Sequence, residues 1–194
     1  MFSSPAVANG VVYVGSAYPD YNVYALNGST GAVLWSYHTD YGTGSSPAVA
    51  NGIVYVGSGT NGKVYALNAS TGAVLWSYTT GSFVDSSPAV ANGAVYVGSN
   101  NGKMYALNAR TGAKLWSYPT GGAVFSSPAV ANGVVYVGSG DDHTYALNPR
   151  TGAKLWSYTT GKSVASSPAV ANGMVYVGSW DNNVYAFSLK KDQQ

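Results

Sequence analysis

Apolar positions in this chain fall in short runs, such as VVYVG at 11–15 and VYALN at 23–27, punctuated by Gly, Asn, Asp, Ser and Thr. No stretch shows the 3.6-residue recurrence of an amphipathic helix, so the runs predict strands. SSPAV and VVYVG are joined through ANG, where Asn-Gly is a strong signal for a type I′ hairpin because both residues tolerate positive φ. VYALN and AVLWSY are joined through STG. VVYVG is apolar at nearly every position rather than alternating, which predicts a strand covered on both faces. Pro5, Pro47, Pro88, Pro128 and Pro168 cannot donate to a ladder, so the strand that carries them is predicted to be an edge.

The stretch SSPAVANG recurs letter for letter at 3–10, 45–52, 86–93, 126–133 and 166–173. Units therefore start at Ser3, Ser45, Ser86, Ser126 and Ser166, spaced by 42, 41, 40 and 40 residues. Such a period fits four short strands with their turns. The fifth unit runs out at VYAFSLKKDQQ without an LWSY strand. Sheets covered on both faces, with proline at one edge, describe propeller blades whose proline edge borders a central channel. The expectation is an all-β single domain over residues 1–194: a five-bladed β-propeller of four-stranded antiparallel blades, with 19 strands because the last blade lacks its outer one. A monomer closed through inner contacts of the first and last blades is expected, against an open arc completed between chains. Lys190 and Lys191 are placed to oppose edge-to-edge pairing at the incomplete blade.

The pattern VYVGS…GKVYALNASTGAVLWSY, with TG shortly before Trp, resembles the pyrroloquinoline-quinone-like propeller repeat of quinoprotein dehydrogenases, outer-membrane assembly lipoproteins and many surface proteins. The resemblance covers essentially the whole chain. It implies that Trp35, Trp76, Trp116 and Trp156 dock between neighbouring blades near the TG turns and lock them. It also implies, for the dehydrogenases, an eight-bladed ring, a calcium ion held partly by Glu, and often a vicinal Cys pair. This chain has five units, no Glu and no Cys. No cofactor is expected.

Composition narrows the function further. Nine Lys and Arg against seven Asp give a net charge of +2, and only 8% of residues are charged, too little basic surface to predict nucleic-acid binding. No apolar run approaches the roughly 20 residues of a membrane-spanning helix, so membrane insertion is not expected. The start MFSSPAV enters a repeat at once and has no signal-peptide pattern. Asp141, Asp142 and His143 form the most ligand-like cluster, but they occupy a position that is a turn in other units; neither a metal nor a catalytic residue is assigned. Asn27-Gly-Ser and Asn68-Ala-Ser match glycosylation sequons, yet each is a variant of the third-to-fourth strand turn.

Comparison among the units shows where individuality lies. The ANG and TG turns hardly vary, whereas the second-to-third turn and the crossover after LWSY do. In an up-and-down blade these two loops emerge on one face of the disc. That face is the candidate ligand surface, carrying Tyr18, Asp20, Tyr21, Tyr41, Phe83, Asp85, Phe125, Asp141, Asp142, His143, Trp180 and Asp181. The expected function is a non-enzymatic repeat scaffold or interaction module for a protein, peptide or glycan, with a lectin-like propeller as the alternative. Near-identity of the units points to a recently amplified natural propeller, or an engineered chain derived from one. An extracellular or cell-surface location is expected for a natural parent.

Overall fold

The computed structural model describes residues 3–59 and 62–189; Met1, Phe2, Thr60, Asn61 and the tail from Lys190 lie outside the described residues, and the role assigned to Lys190 and Lys191 lies there too. Blade one comprises β1 (Ala6–Ala8), β2 (Val11–Gly15), β3 (Asn22–Asn27) and β4 (Val33–His38). Blade two comprises β5 (Ala48–Ala50), β6 (Ile53–Gly57), β7 (Lys63–Asn68) and β8 (Val74–Thr79). Blade three has β9 (Ala89–Ala91), β10 (Ala94–Ser99), β11 (Lys103–Asn108) and β12 (Lys114–Pro119). Blade four has β13 (Ala129–Ala131), β14 (Val134–Gly138), β15 (His143–Leu147) and β16 (Lys154–Thr159). Blade five stops at β17 (Ala169–Ala171), β18 (Met174–Gly178) and β19 (Val184–Ser188). Each sheet is an antiparallel meander in chain order, four of four strands and one of three, which is the five-bladed architecture the repeat predicts.

Local chemistry sets these elements. Asn9, Asn51, Asn92, Asn132 and Asn172 all have φ between 49° and 51°, and the following glycines are also positive, so each ANG forms the tight hairpin its letters call for. A one-residue bulge recurs between strands three and four, at Ala25/Leu26, Ala66/Leu67, Ala106/Leu107 and Ala146/Leu147. The paired serines explain why SSPAV is invariant. The first accepts a hydrogen bond from the glycine N–H ending strand two: Ser45 Oγ from Gly57 at 2.7 Å, Ser86 from Gly98 at 2.9 Å, Ser126 from Gly138 at 3.0 Å. The second joins blades. Ser4 N–H donates to Ser46 Oγ, Ser46 N–H to Ser87, Ser87 N–H to Ser127 and Ser127 N–H to Ser167, all at 2.8–3.0 Å.

The core is not inside a blade but between blades. Tyr55, Val64, Ala66 and Trp76 of blade two pack on Val95, Val97, Tyr105 and Leu107 of blade three. Equivalent clusters join blades one and two, three and four, and four and five. Every blade thus has a leading face, carrying the second-strand Tyr, and a trailing face, carrying the second-strand valines.

Between blades five and one the expected closure is not found. Among the described residues no buried cluster spans them, and no serine bond links Ser167 to Ser4. On the leading face of blade five, Tyr176 is 38% exposed where Tyr13, Tyr55, Tyr96 and Tyr136 are at most 4%, and Val184 is 77% exposed where Val23 and Val64 are fully buried. On the trailing face of blade one, Val7 is exposed, and Val12, Val14 and Leu26 are half-buried where Val54, Val56 and Leu67 are fully buried. The five blades form an arc with two open apolar ends. No helix of the described residues is long and apolar enough to cross a membrane.

Amide exchange should report this gradient, because local opening follows the apolar burial that must be given up. Strands β18 and β19 should exchange well before β10 and β11; equal protection of the two pairs would show that blade five is as firmly held as blade three.

Candidate functional site

The variable loops share a fixed backbone frame. Each crossover is held by the second-to-third turn of its own unit and touches that of the next. Thr80 N–H donates to Gly62 O (2.7 Å) and Val84 N–H to Ser58 O (3.1 Å), while Asn100 N–H donates to Phe83 O (2.9 Å). The pattern repeats one unit on, with Thr120 to Gly102, Val124 to Ser99 and Gly140 to Ala123, and again with Thr160 to Asp142, Val164 to Ser139 and Trp180 to Ser163. Val84, Val124 and Val164 are fully buried and sit where a Cβ on Gly57, Gly98 or Gly138 would have to go. The glycine ending strand two is there to admit this side chain, which anchors the loop belt to the sheets.

The acidic candidates turn out to be parts of this frame. Asp141 Oδ2 accepts from Gly121 N–H (2.6 Å) and from the Tyr145 hydroxyl (2.6 Å), tying its turn to the preceding crossover and to strand three. Asp181 does the same with Gly161 (2.7 Å) and Tyr185 (2.6 Å), and Asn101 takes the place in unit three, donating to Thr80 O and Tyr105 Oη at 2.7 Å. Asp20 accepts from Ser16, Asn22 and Tyr24 within its own turn. His143 Nδ1 lies 2.7 Å from Asp141 O and Nε2 lies 3.0 Å from Thr159 Oγ1, and the ring stacks on Tyr145. Asp142 adopts φ 69°. Asp141–Asp142–His143 is thus a hydrogen-bonded turn, and the described residues hold no group of three His, Cys, Asp or Glu side chains disposed around one point.

These bonds move the acids. The Tyr185 hydroxyl, with the Gly161 and Asn183 amides, lowers Asp181 to a pKa of about 2. For Asp141, burial pushes the other way, but the Tyr145 and Gly121 bonds outweigh it and the pKa falls. Tyr145 moves up, through burial first and then through its bond to Asp141. At Asp20 the Ser16 hydroxyl leads the lowering.

Among the exposed side chains of the loop face is a set of aromatics, beside polar residues such as His38, Lys162 and Asn182. Tyr18, Tyr41, Phe83, Phe125 and Trp180 all stand in solvent, Tyr18 and Trp180 most fully, whereas Tyr21 is half-buried between Tyr18 and His38. Tyr41 and Phe83 flank Gly59, where a Cβ would meet Tyr41 O at 3.1 Å and Phe83 Cδ1 at 3.8 Å. Asp85 Oδ2 accepts from Asn100 Nδ2 at 2.8 Å, and Asn100 Oδ1 is buried without a hydrogen-bond partner. Asn100 escaped the sequence reading because the NNGK turn containing it looks like ordinary turn chemistry; only the crossover folded against it makes it distinct.

The opposite face is uniform. Asn27, Asn68, Asn108 and Asn148 each accept two backbone N–H bonds through Oδ1, so both sequon asparagines act as turn formers. The indole N–H of Trp35 donates to Ala69 O, of Trp76 to Ala109 O and of Trp116 to Pro149 O, at 2.8–2.9 Å, each reaching the next blade. Their rings lie over Gly72, Gly112 and Gly152, where a Cβ would sit 2.7 Å from an indole carbon. Trp156 packs instead on Phe187, with ring centroids 5.2 Å apart. Beside it, between blades four and five, lies a cleft of about 660 Å³ lined by Tyr136, Trp156, Tyr158, Phe187 and Leu189, away from the aromatic loop face.

Meander blades stacked face to face, sealed by Trp on a TG turn, define a propeller of the PQQ-like repeat class. A family model described as outer membrane protein assembly factor BamB matches residues 19–127 and 119–193, and the chain belongs to that family. No curated protein matches it. Among solved structures, it is similar to BamB from Moraxella catarrhalis (TM-score 0.83, 22% identity, 97% of this chain and 58% of the other). It is also similar to the computationally designed Ika8 protein (0.84, 20%, 95% and 57%) and to a quinohemoprotein alcohol dehydrogenase from Pseudomonas putida HK5 (0.78, 21%, 96% and 42%). The chain thus spans less than two thirds of each of these proteins, and at these identities the likeness is one of fold.

Two outcomes follow from the locks on either face. Trp116→Ala should cost about 3–5 kcal/mol in chemical unfolding, because it empties a buried slot and removes the indole bond to Pro149 O, leaving that carbonyl only the Tyr96 hydroxyl; Trp156→Ala should cost clearly less. Similar losses at both positions would mean the inter-blade bond contributes little. The carboxylate locks predict acid sensitivity: Asp141 and Asp181 have folded pKa values below the unfolded value of about 3.9, so their stabilisation is full above about pH 5 and is lost as pH falls towards 2. An Asp141→Asn, Asp181→Asn double variant, imitating Asn101, should show a flatter fall in melting temperature between pH 5 and pH 2; an unchanged slope would assign the acid response elsewhere.

Proposed function

We propose that this chain is a non-enzymatic scaffold that binds a protein or peptide partner through its individualised loop face. One observation carries the reading: the backbone of that face is fixed by bonds repeated in units one to four, while the aromatics Tyr18, Tyr41, Phe83, Phe125 and Trp180 stand in solvent on it among polar side chains. Loops on a rigid scaffold carry specificity, and aromatic anchors dominate protein recognition. Asp20, Asp85, Asp141 and Asp181 are committed to donors within the frame, which supports binding over acid–base chemistry on this face. The family description, an assembly factor of outer membrane proteins, supports a protein partner and a location outside the cytoplasm. A lectin-like reading draws on Trp180 alone, which is 68% exposed beside Asn182 and Asn183 and offers a stacking surface with amide neighbours.

Selection from a peptide-display library, run beside a glycan array, tests the reading. Ligands of the loop face should bind wild type and Arg110→Ala, on the opposite face, equally, and lose about tenfold or more with Tyr41→Ala, Phe83→Ala, Phe125→Ala combined. Glycan hits lost on Trp180→Ala would favour the lectin. If every ligand recovered binds the triple variant as it binds wild type, the loop face is not the binding surface and the proposal falls.

A further inference from the structure

At the junction of blades three and four the face opposite the variable loops breaks its own pattern. The residue after the ANG turn is Val11, Ile53, Val134 and Met174 in units one, two, four and five, but Ala94 in unit three. Val11, Ile53 and Val134 pack half-buried against the clusters between blades. Ala94 is shorter, and beside it lies a cleft of about 460 Å³ lined by Asn92, Ala94, Tyr96, Leu115, Pro149 and Arg150. Its floor is apolar, since the Pro149 carbonyl already accepts from Trp116 and Tyr96. Pro149 itself stands where the two preceding units have Ala69 and Ala109, which adds ring carbon to the wall.

Charge on this side has one sign. The described acids, Asp20, Asp40, Asp85, Asp141, Asp142 and Asp181, all sit in turns or crossovers of the loop face. The opposite face bears Arg110 and Arg150 in its turns and Lys114 and Lys154 at the adjoining ends of strand four, with no acid among the described residues. Arg150 is exposed at the rim of the cleft. Its backbone N–H donates to Asn148 Oδ1 at 2.9 Å, while its guanidinium forms no ion pair among the described residues. An unpaired arginine beside an apolar hollow, on a face of one charge sign, is complementary to a carboxylate carried next to an apolar group. We propose that this cleft binds the carboxy-terminal residue of a peptide or protein that ends in a large apolar side chain. The side chain enters against Ala94, Leu115 and Pro149, and the terminal carboxylate accepts a bidentate bond from Arg150. A chain end fits better than an enclosed small molecule because the cleft is open along one side: Leu115 is 51% exposed, and Asn92 and Arg150 stand in solvent, whereas small-molecule pockets surround most of their ligand. The rest of the bound chain leaves through that side. The site shares no residue with the aromatic loop face and holds whether or not that face binds a partner.

Short peptides test the site by isothermal titration calorimetry. Acetyl-triglycyl-phenylalanine with a free carboxylate should bind wild type with a dissociation constant of roughly 10 µM to 1 mM. Its carboxamide, and the free acid ending in alanine instead of phenylalanine, should each bind about tenfold or more weakly. Arg150→Ala should bring the free acid down to the level of the carboxamide. Ala94→Val, which installs the residue of units one and four, should weaken the free acid about tenfold or more without lowering the melting temperature. Arg110→Ala should leave binding unchanged, because Ile53 fills the corresponding place at its junction. If Ala94→Val unfolds, the exposed Arg150→Ala and the comparison of acid with carboxamide decide. Three results overturn the proposal: no binding of the free acid by wild type at about 1 mM, equal binding of acid and carboxamide, or a folded Ala94→Val that binds as wild type does. Binding of phenylpropionate without binding of the peptide also overturns it, since the cleft would then hold a free small carboxylate and exclude a chain.

Discussion

A blade of four short strands cannot bury its own faces. Both sides of VVYVG and of VYALN are apolar, and a single sheet has no interior, so every apolar face here depends on the blade beside it. That dependence organises the rest. It places the core between units, makes each junction directional with Tyr on one side and Val on the other, and, among the described residues, leaves the trailing face of blade one and the leading face of blade five unmet. Stability in such an array is approximately a sum over units and the junctions between them, which makes the end blades its weak members.

Against that common packing, each invariant letter has a separate mechanical duty. The first serine of SSPAV closes the inner strand onto strand two, the second joins it to the next blade, and the proline removes a donor that the channel edge could not have used. The glycine after strand two admits the crossover valine; the glycine of the TG turn admits the neighbouring tryptophan. These are backbone-to-side-chain fits in which a single added carbon would collide, which gives the near-identity of the units a steric reason.

The loop face shows how a frame and a surface can be separated. Acidic side chains that look ligand-like in isolation are spent on holding the loops: Asp141 and Asp181 pair with tyrosines of strand three and with amides of the preceding crossover, and their lowered pKa values follow from those donors. The aromatics do none of this and stand in solvent. The opposite face offers capped asparagines and docked tryptophans, with little individuality from unit to unit.

Much of this was legible in the chain itself. Period, hairpin turns, proline edges and the missing last strand determined a propeller of five blades and nineteen strands, because each is local chemistry repeated at fixed spacing. The set of residues on the loop face was legible too, since alternate connections of a meander emerge on the same side. Whether Asp141 is a ligand or a fastener was not, because its partners Gly121 and Tyr145 are fixed only when the crossover folds back over the turn. Nor was the role of Asn100, whose neighbour Asp85 lies fifteen residues away in another loop. Ring closure was the clearest limit. The first three strands of blade five and those of blade one carry nearly the same letters as blades that do meet, so these strands do not distinguish a buried face from an open one; the accumulated angle of successive junctions in three dimensions decides whether the two ends touch.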